Sequence, residues 1–263
     1  AARYFADADM TETVAVRVDE TIDSDAQRTG DLPQHAAVRR LGTIVPEYGP
    51  RYTGPWISRR DRAASGGNLR GSRDGPARVE FRFRGRAVRV TGRTGPQSGY
   101  ANFYLDGERV EKHVDCYSEE RKNGVTMFER DDLAPGDHTV TVEVVGWRGR
   151  RNPDSKNSWV YLDKFVVDDK IEVDAAGLQH RFAVRTEGKA KLWLDRKLRL
   201  AARDSKETVV QLQRRHVPIQ LDCVSGGDPA GITLFWSNPF SEKRHVPTSA
   251  LYPVAYGAPE DGE

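Results

Sequence analysis

Apolar and polar side chains alternate with a two-residue period along this chain, in short runs broken by turn-forming residues. Val79-Glu80-Phe81-Arg82-Phe83-Arg84 alternates without a break, and Thr139-Val140-Thr141-Val142-Glu143-Val144 repeats the pattern. A period of two sends successive side chains to opposite faces of an extended strand, so each run buries one face and wets the other. Turn formers stand where such strands must reverse. Asp106-Gly107 follows Asn102-Phe103-Tyr104-Leu105, and Pro135-Gly136-Asp137 precedes the second run. Both residues of an Asp-Gly pair accept positive φ, which a tight hairpin requires. No segment carries a sustained helical stripe. These patterns predict an all-β chain of antiparallel strands.

The alternation resumes beyond residue 170. Arg181-Phe182-Ala183-Val184 and Lys191-Leu192-Trp193-Leu194 come first, then Val209-Val210-Gln211-Leu212, Pro218-Ile219-Gln220-Leu221 and Ile232-Thr233-Leu234-Phe235-Trp236. Residues 24–50 have little periodicity and read as a linker or long crossover. Residues 255–263 are rich in Gly, Pro and acid and read as a loose tail. The chain has 263 residues but is only 37% hydrophobic. One large core would lack material, so two thin β-sandwiches with long polar loops fit better.

Charge narrows the partners. Basic residues number 41 and acidic residues 39, a formal balance of +2. That leaves no electrostatic footprint for nucleic acid and no polybasic membrane tether. No apolar run approaches the roughly 20 residues of a membrane span. The opening Ala1-Ala2-Arg3 reads as the start of a mature chain, with a secreted or cell-surface location expected. Cys116 and Cys223 lie far apart and form no CxxC pair, so zinc is not indicated. They are read as unpaired thiols, with a disulfide between domains as the alternative.

The last third resembles the protective-antigen-type (PA-fourteen) family, a β-sandwich of bacterial glycosidases, toxins and yeast adhesins. The resemblance is carried by Phe182, Gly188, Leu192-Trp193-Leu194-Asp195, Val217-Pro218-Ile219-Gln220-Leu221, Leu234-Phe235-Trp236-Ser237 and Val246-Pro247-Thr248-Ser249-Ala250-Leu251-Tyr252. Ala2-Arg3-Tyr4-Phe5 and Val16-Arg17-Val18-Asp19-Glu20-Thr21-Ile22-Asp23 resemble the opening of the same family. The middle portion resembles a galactose-binding-like jelly roll, an ancillary module of bacterial secreted enzymes. Its markers include Tyr52-Thr53-Gly54-Pro55-Trp56, Gly99-Tyr100-Ala101-Asn102-Phe103-Tyr104-Leu105-Asp106-Gly107, Val114-Asp115-Cys116-Tyr117-Ser118 and Val160-Tyr161-Leu162-Asp163-Lys164-Phe165. Together they imply a discontinuous outer domain, residues 1–34 and 169–263, with a carbohydrate-binding-like module of residues 35–168 inserted into it.

The function implied is non-catalytic binding of a polysaccharide or other glycan, beside a catalytic domain of a parent chain or in an adhesin. A structural or protein-interaction module of a surface assembly is the alternative. No GxSxG elbow, HExxH or phosphate-binding loop occurs, and neither family brings catalytic residues. Sugar rings offer an apolar C–H face and a polar rim, so a site pairs an aromatic platform with Asp, Asn or Arg. Trp147, Trp159 and Tyr117 are the candidate platforms, each with a packed anchor as the competing reading. Arg93, Asp115 and Asn157 are the candidate polar partners, whereas Trp56, Trp193 and Trp236 read as packing residues. Calcium lectins of the protective-antigen type carry paired aspartates where this chain has Thr186-Glu187-Gly188. No cofactor is expected; a structural calcium in the jelly roll stays open, with no loop identifying its ligands. Asp168-Asp169 reads as a solvated turn. Arg59, Arg60, Arg62, Arg70 and Arg73 form a locally basic stretch, read as a solvated loop or as a contact for sulfate or uronate.

Overall fold

The computed structural model describes residues 2–5, 13–17, 37–146, 152–224, 232–246 and 251–253. Nearly all of them lie in antiparallel strands, so the protein is all-β, and among the described residues the one helical piece is a single turn at Ser65–Gly67. The chain divides into two compact units. The first takes residues 1–45, 180–210 and 215–263, and the second takes residues 46–179 and 211–214.

In the first unit, β1 (Ala2–Phe5) lies between β2 (Thr13–Arg17) and β3 (Ala37–Ile44). Residues 37–44, expected as part of a linker, are thus a strand. Alternation is weak there because Arg39 and Arg40 adjoin, and the partner strand, not local pattern, fixes the conformation.

The second unit contains β4 (Gly49–Thr53), β5 (Ile57–Arg60), β6 (Asn68–Ser72), β7 (Ala77–Gly85), β8 (Val88–Thr94) and β9 (Tyr100–Leu105). It continues with β10 (Glu108–Asp115), β11 (Lys122–Arg130), β12 (Gly136–Val144), β13 (Val160–Val167) and β14 (Ile171–Asp174). One sheet has the order β10-β9-β12-β7-β4, and the other β11-β8-β13-β6-β5 with β14 beside β13. Chain neighbours from β6 to β9 and from β10 to β13 change sheets, as in a jelly roll. The alternation read in β7 is real: Val79, Phe81 and Phe83 are buried between exposed or half-exposed Glu80, Arg82 and Arg84. Phe81 stacks on Phe165 of the other sheet at 4.3 Å, and Phe103 stacks on Phe128 at 5.0 Å. These ring pairs hold the sandwich together, each contributing about 1 kcal/mol beyond area burial.

Turn chemistry agrees with the sequence. Asp106 and Gly107 adopt φ of 49° and 90°. The Asp106 carboxylate accepts from Thr139 N and meets the His138 ring, tying the hairpin to β12. Asp168 and Asp169 form a left-handed turn as well. Asp168 is more than solvated, for its carboxylate accepts from Arg86 N and Ala87 N.

The chain returns to the first unit in β15 (Leu178–Leu194) and β16 (Lys197–Leu212), followed by β17 (Val217–Val224), β18 (Ile232–Asn238), β19 (Ser241–His245) and β20 (Leu251–Pro253). The sheet order is β19-β18-β15-β17-β3-β1-β2, with β16 on β15 and β20 on β3. The two runs read separately at 181–184 and 191–194 belong to one strand, β15. Its first half pairs with β18 and its second with β17, so the partner changes around Thr186-Glu187-Gly188. That tripeptide therefore lies inside a strand. Trp236, Phe182, Leu192 and Leu221 are buried in this unit, and Trp193 is half-buried. Arg39 and Asp222, opposite in register, make a bidentate pair at 2.9 and 2.8 Å. Cys116 and Cys223 are buried and form no disulfide, and burial raises the Cys116 thiol to about 12, which makes it inert.

Candidate functional site

Strand register gathers one set of connections at a single end of the second unit. In one sheet Ala77 pairs Val144, Val144 pairs Ala101, and Tyr100 pairs Asp115. In the other, Ser72 pairs Val160, Arg93 pairs Tyr161, and Thr94 pairs Lys122. Connections 54–56, 73–76, 95–99 and 116–121, with the described residues 145–146 and 152–159, therefore emerge together. Their described residues are knit by hydrogen bonds. Gly99 N donates to Trp159 O, Trp159 N to Gln97 O, Lys156 N to Pro96 O, and Cys116 N to Gly99 O. The Ser158 hydroxyl donates to Arg73 O and the Ser155 hydroxyl to Ser98 O. Binding groups placed here stand on a braced frame.

A cleft of about 920 Å³ opens at this end. The 73–76 connection forms one wall with Arg73, Asp74 and Pro76, and Lys156 and Asn157 form another. Asn102 and Glu143 line it from β9 and β12, where they are register partners. Glu143 accepts from Asn102 at 2.9 Å, Tyr104 OH at 3.1 Å and Arg78 Nε at 2.7 Å. Its oxygens are thus committed to holding the cleft's shape. Arg73 and Lys156 are exposed, and among the described residues Lys156 has no side-chain partner.

Burial acting alone would raise the Glu143 carboxyl. Hydrogen bonds from Asn102 and Arg78 outweigh it and hold the group below the ordinary carboxylate value. With the folded value depressed, its stabilisation is complete above the unfolded value of about 4.3 and is lost as pH falls through the folded one. Glu143→Gln is therefore expected to cost about 1 kcal/mol at pH 7. Thermal unfolding recorded from pH 7 to 3 should show a shallower acid loss in the variant than in the parent.

The sequence candidates fall in different places. Trp147 lies outside the described residues. Trp159 is half-buried, stacks on Tyr161 at 5.2 Å and 13°, and carries the Arg73 guanidinium 5.4 Å from its ring centre. Since Arg73 lines the cleft, Trp159 stands beside it. Tyr161 lies across Gly71, where an added Cβ would come within 2.6 Å of its ring, so glycine makes room for the stack. Asn157 lines the cleft directly. Tyr117 and Asp115 share the loop end: Asp115 is exposed and accepts from Tyr117 N at 2.9 Å and Asn152 Nδ2 at 2.6 Å. Arg93 does not face solvent. It is 6% exposed, 3.6 Å from the Tyr161 ring centre and paired with Asp61. Trp56, expected in the core, is half-buried, its Nε1 donating to Thr53 O and Arg78 O. Sequence reasoning missed Asn102, Glu143 and Lys156. The polar positions of β9 and β12 carried a signal, but only register places them on one wall. Among the described residues no group of three or more His, Cys, Asp or Glu is placed to hold a metal ion. No helix among them is long and apolar enough to cross a membrane.

No family model matches the chain. A stretch of 96 residues is 35% identical to an A type blood alpha-D-galactosamine galactosaminidase of Flavonifractor plautii, covering 36% of this chain and 9% of that protein. The matched stretch is thus a small part of that relative's length. Among solved structures, an anti-sigma factor domain-containing protein from Clostridium clariflavum aligns over 96% of this chain and 98% of its own at 14% identity, with a TM-score of 0.27. A Paenibacillus xanthan lyase aligns over 94% of this chain and 28% of its own at 11% identity and a TM-score of 0.34. A Pleurotus ostreatus lectin in complex with GalNAc aligns over 76% and 85% at 8% identity and a TM-score of 0.22. At these scores the structural likenesses carry no argument. The chain itself defines an all-β protein whose second unit, a two-sheet sandwich, bears a polar cleft at its loop end.

Proposed function

We propose that this protein binds glycans without cleaving them, through the loop end of the second unit, as an ancillary part of a secreted or surface carbohydrate-active protein. The observation that carries this reading is the cleft beside Trp159, where Arg73, Asp74, Lys156 and Asn157 offer charged and amide groups to ring hydroxyls. The 35% identical stretch shared with a galactosaminidase supports a glycan-related role. The first unit, with its resemblance to the protective-antigen type, serves as scaffold in this reading. Affinity per site is weak, and a repetitive polymer supplies avidity. A glycan array followed by affinity electrophoresis of the whole chain tests this. Arg73→Ala/Lys156→Ala should weaken retardation by about tenfold while leaving the thermal midpoint near the parent's. Absence of binding across the array would favour a structural or protein-interaction module instead.

A further inference from the structure

The outer face of the β11-β8-β13-β6-β5 sheet carries a surplus of guanidinium groups that the cleft does not use. Arg93, Tyr161 and Gly71 lie in one row across β8, β13 and β6, and β5 flanks them. Asp61 is the carboxylate at their centre. It is buried and fully engaged, accepting from Ala63 N at 3.1 Å and pairing with both Arg93 and Arg121. Arg59 donates to Tyr161 OH at 2.8 Å, and among the described residues it meets no carboxylate. Arg60 and Arg62, both exposed, likewise have no acidic partner among the described residues. Burial lowers the Arg93 guanidinium from its ordinary value; Tyr161 opposes this, while Arg121 and Arg59 add to it. Like charges are thus packed around the saturated Asp61, while the neighbouring Asp163 and Asp174 carboxylates accept from Ser65 instead. The Trp159–Tyr161 stack runs from this patch to Arg73 at the cleft.

We infer that the glycan bound at the cleft carries sulfate or carboxylate substituents, and that Arg59 and Arg121 receive one of them on this face. The inference rests on the glycan-binding reading above. Planar guanidinium forks match the paired oxygens of a sulfate or carboxylate, and half-exposed Arg121 keeps donors free of Asp61. The whole chain balances to +2. The surplus is therefore a local patch beside a stacked aromatic, which suits a substituted saccharide better than a continuous polyanion such as nucleic acid.

The test is affinity electrophoresis of the full chain on matched polymers. These are dextran sulfate beside dextran and polygalacturonate beside its carboxyl-reduced form, with single-stranded DNA as a further polyanion. At least one anionic form should be retarded more than its neutral partner, with the excess falling as salt rises. Arg59→Gln/Arg121→Gln should reduce that excess about tenfold and leave neutral binding unchanged. Arg59→Gln/Arg60→Gln, both on the exposed β5 strand, serves if loss of Arg121 impairs folding. Equal retardation on neutral and charged forms, an excess insensitive to both variants, or equal retardation by DNA would overturn the inference while sugar binding stands. No retardation on any polymer would instead remove the glycan-binding reading beneath it.

Discussion

Phe81→Ala should destabilise the second unit by about 4 kcal/mol, a large share of the roughly 5–15 kcal/mol that holds a domain together. Phe81 has no solvent exposure and lies against Phe83 at 5.6 Å as well as Phe165 at 4.3 Å, so its ring spans the gap between the two sheets. Truncation leaves a cavity that neither sheet can close without losing register, and it removes both ring contacts. Urea denaturation followed by circular dichroism should show the midpoint fall to a clearly lower denaturant concentration. A loss below about 1 kcal/mol would mean that the inter-sheet core is elsewhere.

Gly92→Ala is expected to be nearly as costly, at about 3 kcal/mol, though it adds a single methyl group. Gly92 lies in β8, and an alanine Cβ there would stand 2.1 Å from Tyr161 O and 2.6 Å from Met127 Sδ. The backbone oxygen belongs to the neighbouring strand and cannot rotate away as a side chain would. The register of β13 shifts between Leu162 and Lys164, next to this contact. Relief therefore requires β8 and β13 to separate, which breaks ladder hydrogen bonds on the sheet carrying Trp159 and Tyr161. Thermal unfolding of the variant measures the cost, and an unchanged midpoint would contradict the close approach of these strands.

Legibility from sequence followed the range of the forces involved. Local alternation located β7 and β12, and Asp106-Gly107 located their hairpin neighbour, because pleat and turn geometry are properties of a few adjacent residues. Pairing was not legible. Residues 37–44 read as linker because β1 and β17 create that strand, and β15 read as two strands because its partner changes midway. The site shows the same division. The candidate platforms Trp159 and Tyr117 and the candidate polar partner Asp115 lie at the loop end, whereas Arg93 is buried on Tyr161 because a strand position does not reveal what covers its face. Asn102 and Glu143 meet only through register, and Lys156 gains meaning only beside Arg73.

Amide and indole chemical shifts of the whole, isotopically labelled chain, followed during titration with the glycan that binds best on an array, address binding at the loop end most directly. The expected response is saturable movement at Gly75, Lys156, Asn157 and the Trp159 indole N–H, with residues 180–210 unmoved. Shifts confined to that second set, or a spectrum that no glycan perturbs, would contradict the assignment.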